Sequence, residues 1–77
     1  MKDVLETIIK NLVDNQEAVE VKEVEGEKNI IFEVKVADGD MGKIIGRQGK
    51  IAQSIRTVMK AVANRKDKKV NVEFIDN

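Results

Sequence analysis

The stretch Gly42-Lys43-Ile44-Ile45-Gly46-Arg47-Gln48-Gly49-Lys50-Ile51 decides how the rest of the chain is read. Before it, Met41 to Ile45 is long enough for little more than one helical turn, which Gly46 stops. After it, helical periodicity resumes from about Lys50 to Arg65. Ile51, Ile55, Val58, Met59 and Val62 fall on one face of that helix, and Gln53, Arg56, Lys60 and Asn64 on the other. Between the helices lie two glycines flanking Arg47 and Gln48, with no bulky or acidic side chain. Glycine tolerates positive φ, so the simplest use of the pair is a chain reversal. The same residues also suit an anion. Glycines let a phosphodiester approach the main chain, the amides opening the long helix point outward, and the helix dipole favours negative charge there. Arg47, Lys50 and the nearby Lys43 add Coulomb attraction.

Outward from this loop the elements alternate. Val4, Leu5, Ile8, Ile9, Leu12 and Val13 recur at helical spacing, which predicts an amphipathic helix over about 2–15 with an apolar arc wider than one core face needs. That width serves core packing first and leaves room for a partner. Residues 18–25 read as a strand, Gly26-Glu27-Lys28-Asn29 as a turn, and Ile30 to Val36 as a second strand with Ile30, Phe32, Val34 and Val36 on its inner face. So short a connection predicts an antiparallel hairpin. Asp38-Gly39-Asp40 reads as a loop whose aspartate caps the next helix. Past the charged turn Lys66-Asp67-Lys68-Lys69, Val70, Val72 and Phe74 alternate in a last strand, parallel to 30–36 after a helical crossover. The sum is an α+β sandwich of order αββααβ, with a three-stranded mixed sheet packed on three helices.

Composition fits one domain over residues 1–77. Seventy-seven residues cannot form two independent cores, and a core of this size supplies only a few kcal/mol. There is no cysteine for a disulfide and no histidine for a zinc site, so neither metal nor cofactor is expected, and self-association remains as a source of stability. The start Met1-Lys2-Asp3-Val4-Leu5-Glu6 is unlike a secretory leader and no apolar run reaches membrane length, so a cytoplasmic location without membrane contact is expected. Charge is unevenly spread. Residues 1–40 hold five lysines against eleven acids, and residues 41–77 hold nine lysines and arginines against three acids. A basic half suits a polyanion, and an acidic half limits indiscriminate sticking.

Other chemistries fit poorly. A nucleotide P-loop needs G-x-x-x-x-G-K-[ST], but Ile44 stands at the upstream glycine and Ile51 at the Ser/Thr. No G-x-G occurs for a dinucleotide fold. Ser54, the single serine, lies within a helix and has no base nearby, so an enzyme is not expected. Aromatic stacking platforms are excluded too, because Phe32 and Phe74 are the only aromatics and both fall on inward strand positions.

The segment Ile44-Ile45-Gly46-Arg47-Gln48-Gly49-Lys50-Ile51 resembles the I-I-G-x-x-G signature of KH domains, with its last isoleucine one place early. From Asp40 to Lys50, and in length and element order, the chain resembles the KhpA (YlqC-like) family of small bacterial KH proteins. The resemblance implies a type II KH domain that binds single-stranded RNA without catalysis. It assigns Lys43, Ile44, Ile45, Gly46, Arg47, Gln48, Gly49, Lys50 and Ile51 to RNA binding. Within that set, residues 46–49 would meet phosphates and the three isoleucines would help floor a groove. Strand residues 70–72 would line its far wall. It further implies a role as an RNA chaperone or post-transcriptional regulator, and pairing as a homodimer or with a larger KhpB/Jag-type KH protein. A protein-interaction module on the same fold is the alternative.

Overall fold

Residues 1–75 are described by a computed structural model; Asp76, one of the three acids counted in the second half, lies outside the described residues. These residues form helix α1 (Lys2–Leu12), strands β1 (Glu20–Glu25) and β2 (Asn29–Lys35), a short helix α2 (Met41–Ile45), helix α3 (Lys50–Asn64) and strand β3 (Lys69–Phe74). The order αββααβ is the one expected.

β2 is central. It pairs antiparallel with β1, with Val21 opposite Val34, and parallel with β3, with Phe32 opposite Val72. Strand alternation then sends Ile30, Phe32, Val34 and Val36 inward, and all four are buried. They meet Leu5 and Ile9 of α1, Met41 and Ile44 of α2, and Ile55 and Met59 of α3 in one core cluster. Fully burying one such aliphatic side chain is worth roughly 1.5–3 kcal/mol, so this single cluster is the main term holding the sheet to its helices. The outer sheet face carries cross-strand opposites, Lys22 facing Glu33 and Glu20 facing Lys35, around a small apolar pair, Val24 and Ile31.

Three expectations need correction. α1 stops at Leu12 rather than near 15, because Val13 turns extended (φ −101°, ψ 156°) to bury its side chain in the core. β1 begins at Glu20, since residues 16–18 make one 3₁₀ turn. The buried stripe of α3 is Ala52, Ile55, Met59 and Ala63, not the set led by Ile51 and Val58. Small alanines on the inner line let the helix sit close to the sheet, which rolls the two branched residues onto the flank at 37% and 45% exposure. There they line an apolar crevice of about 310 Å³ with Ile8 and Leu12 of α1. Among the described residues no helix is long and apolar enough to cross a membrane.

Candidate nucleic-acid interface

α2 ends because Gly46 takes φ 71°, ψ −174°, a region essentially confined to glycine, while its amide still donates to the Gly42 carbonyl at 2.9 Å. The chain then turns through Gln48 (φ 56°) and Gly49 (φ 73°), both left-handed, before α3 begins at Lys50. Three positive φ values within four residues fold the loop into a tight knuckle. Arg47 and Gln48 stand exposed on it, and Lys50 follows on the first turn of α3.

The remaining expected site residues divide. Ile45 and Ile51 are exposed at 40% and 37%, beside the loop. Ile44 is fully buried in the core and holds α2 in place instead of presenting a surface. Lys43 is turned away toward the end of α1, where it pairs with Asp14 and, at 3.3 Å, with Asp40. The bond to Asp14 raises the Lys43 pKa above the ordinary lysine value; desolvation opposes this and Asp40 reinforces it. Asp40 itself is 5% exposed. It does not cap α2 with its side chain as expected: Oδ2 accepts the Asn15 amide at 3.0 Å. That bond, helped by the Asp14 amide and Lys43, holds the carboxyl below the usual aspartate value in spite of its desolvation. Asp40, Lys43 and the 14–15 backbone thus form a pin that fixes α2, and with it the knuckle, against the end of α1.

Beyond the knuckle, α3 and β3 enclose a crevice of about 230 Å³ lined by Gln53, Arg56, Thr57, Lys60, Val70, Asn71 and Val72. β3 is an edge strand, so one side of its backbone has no strand partner among the described residues. Arg56 crosses this crevice, its Nε donating to the Val72 carbonyl at 3.3 Å and its guanidinium lying over the Phe74 ring, 5.1 Å from the centroid. The far wall was anticipated at 70–72, but the helix wall was not. Its signal was present: Gln53, Arg56, Thr57 and Lys60 keep i, i+3, i+4, i+7 spacing, and a polar stripe of that kind reads first as solvated surface. In sum, an exposed knuckle stands at the start of α3, and farther along that helix lies a groove with two cations on one wall and the edge strand β3 on the other. Such a surface can hold a backbone phosphate while flat polar groups lie in the groove.

Residues 2–74 match the family described as KhpA/KhpB, KH domain. The chain is 59% identical over 75 residues to the RNA-binding protein KhpA of Clostridium acetobutylicum, covering 97% of this chain and 100% of that protein. It is 49% identical over 76 residues to the RNA-binding protein KhpA of Chlamydia trachomatis, covering 99% and 97%. To the RNA-binding protein KhpA of Aquifex aeolicus it is 41% identical over 76 residues, covering 99% and 96%. No solved structure matches.

Proposed function

The chain belongs to the KhpA/KhpB family of KH domains, and from that premise we propose that it binds single-stranded RNA through the Gly46–Gly49 knuckle and the α3/β3 groove. The family is not an enzyme family. The observation that carries the reading is the knuckle: its backbone is already bent for close approach, its two central side chains are exposed, and it stands at the start of the helix that forms one wall of the groove. KH loops of this form clamp about four nucleotides of backbone. Arg47, Gln48 and Lys50 then contact phosphate beside the α3 amides, while Ile45 and Ile51 shape the entrance. Ile44 and Lys43 act from behind, as core and pin. A role as RNA chaperone or post-transcriptional regulator in the cytoplasm is the use that such sequence-tolerant, non-catalytic binding serves.

The test is the double variant Arg47→Asp, Gln48→Asp. Both side chains are exposed, so the fold and melting temperature should change little. RNA binding should fall at least about tenfold, equivalent to about 1.4 kcal/mol. A folded double variant that binds RNA as tightly as the parent chain would reduce the loop to a simple turn.

One observation favours a second reading, pairing with another copy or with a larger KhpB/Jag-type KH protein. The apolar crevice between α1 and α3 is lined by Ile8, Leu12, Ile51, Ile55 and Val58 and lies on the flank of α3, so both readings can hold in one molecule.

A further inference from the structure

The sheet has two edges, β3 beside the groove and β1 on the far side of β2, two strand spacings or roughly 10 Å away. The Gly26 amide donates to the Asn29 carbonyl at 2.7 Å, which makes residues 26 and 29 a hydrogen-bonded pair. Such pairs alternate along an antiparallel ladder. Pairs 24/31, 22/33 and 20/35 are therefore bonded across to β2, and Val21, Glu23 and Glu25 turn their amides and carbonyls outward. Among the described residues, no backbone bond from outside the hairpin reaches those groups.

What this edge accepts is set by its charge. Residues 17–27 hold five glutamates and one lysine. Glu25 is paired with Lys68, and Glu20 and Lys22 lie opposite Lys35 and Glu33 of β2. Glu17, Glu23 and Glu27 make no ion pair among the described residues, so the edge keeps a negative excess. Charge of this kind guards a sheet edge against its own copies. The antiparallel register that uses Val21, Glu23 and Glu25 together is centred on Glu23, and a second copy in it would set Glu23 against Glu23. An RNA backbone is repelled as well. A lysine-rich strand is attracted.

The side chains along β1 add a pattern. Glu23 lies on the inner side with its partner Phe32, and Val24 on the outer side with Ile31, where both are exposed. On that outer side a crevice of about 400 Å³, lined by Glu20, Val21, Lys22, Glu33, Lys35 and Ile75, opens toward the start of β1. A strand laid along the edge would set one residue beside Glu23 and the next beside Val24.

We propose that the β1 edge binds an extended segment of another protein, with alternating lysine and apolar residues, which joins the sheet as a further strand. Backbone bonds to Val21, Glu23 and Glu25 give the affinity, and Glu23 and Val24 select the alternation. The site does not depend on the groove reading, and it leaves the β3 side open.

The probe is a synthetic peptide of about seven residues alternating lysine and valine, enough to span the six residues of β1. Its control is the same peptide N-methylated along the backbone, which keeps the charge and blocks strand pairing. Each is titrated into the isotope-labelled full chain and followed by heteronuclear NMR. With the probe, shifts should concentrate on residues 20–25, and the Val21, Glu23 and Glu25 amides should become protected from hydrogen exchange. The N-methylated control should do neither. The variant Glu17→Gln, Glu23→Gln, Glu27→Gln should bind the probe at least about fivefold more weakly. Shifts centred elsewhere, equal binding of the N-methylated control, or an unweakened triple variant overturns the proposal. So do edge amides that are protected without peptide and lose protection on dilution, since the occupant is then a second copy. Should the triple variant melt early, the comparison of the two peptides still decides on the unaltered protein.

Discussion

The side chain of Ile51 occupies the space above Gly46: a Cβ on residue 46 would stand 2.6 Å from Ile51 Cγ1 and 2.8 Å from Cδ1. Gly49 has a similar φ of 73°, yet a Cβ there would meet nothing within 4 Å. The two glycines of one loop therefore answer to different constraints. Gly46→Ala adds a clash to a backbone region that non-glycine residues avoid, and should cost roughly 2–4 kcal/mol. Gly49→Ala meets only the left-handed penalty, about 1–2 kcal/mol. Urea unfolding of the two variants checks this; equal losses would mean that the Ile51 contact has no energetic weight.

Arg56 is held in the groove by the Val72 carbonyl and the Phe74 ring. Each contact is worth about 1 kcal/mol or less at a solvent-exposed position. Arg56→Ala should thus lower stability by only about 1 kcal/mol, while removing one of two groove cations and weakening RNA binding about fivefold. Titration of both proteins with the same oligonucleotide decides. Unchanged affinity would make Arg56 a purely structural brace for β3.

Asp40 gives the fold an acid limb. Its folded pKa lies below the ordinary value of 3.8, chiefly because the Asn15 amide binds the charged form. A depressed folded pKa contributes stability that is complete above the unfolded value and is lost as pH falls through the folded one. Melting temperatures of the parent chain and Asp40→Asn should therefore differ most near neutral pH and converge in strong acid. A gap that stays constant down to about pH 2.5 would contradict the pin. Lys43 has the opposite sign: its raised pKa makes its contribution full below the ordinary lysine value and lost only in strong alkali.

Val58 is 45% exposed and belongs to the apolar crevice beside α1. Val58→Lys should leave the monomer's stability within about 0.5 kcal/mol, as surface substitutions usually do. If this face pairs copies of the chain, light scattering at micromolar concentration should show a mass that rises with concentration for the parent and stays monomeric for the variant. A parent chain that is monomeric up to high micromolar concentration would remove self-pairing from the proposal.

The element order and the inward face of β2 were legible because period two and period 3.6 are written plainly in 30–36 and in both long helices. What the sequence hid was rotation. Ile51 and Val58 look like core on a helical wheel, yet the buried line runs through Ala52 and Ala63, since close approach rewards small residues and hydropathy alone does not register it. The knuckle was legible from its glycines. Lys43 and Asp40 were misplaced for one shared reason: their partners, Asp14 and Asn15, lie some 25 to 29 positions earlier, at a contact that only the packing of α1 creates. The polar stripe of α3 was visible but had no wall to face until β3 was set beside it.

The parallel partnership of β2 and β3 has a temporal consequence. β1 and β2 can zip together from their three-residue turn, but β3 must wait for the whole crossover through α2 and α3 before it has a neighbour. One groove wall belongs to α3 and the other to that late strand. A chain emerging during synthesis therefore shows its glycine knuckle before it owns a groove. The α3/β3 groove comes into being only with the docking of β3, so on the proposed reading half-made copies have nothing with which to hold a base.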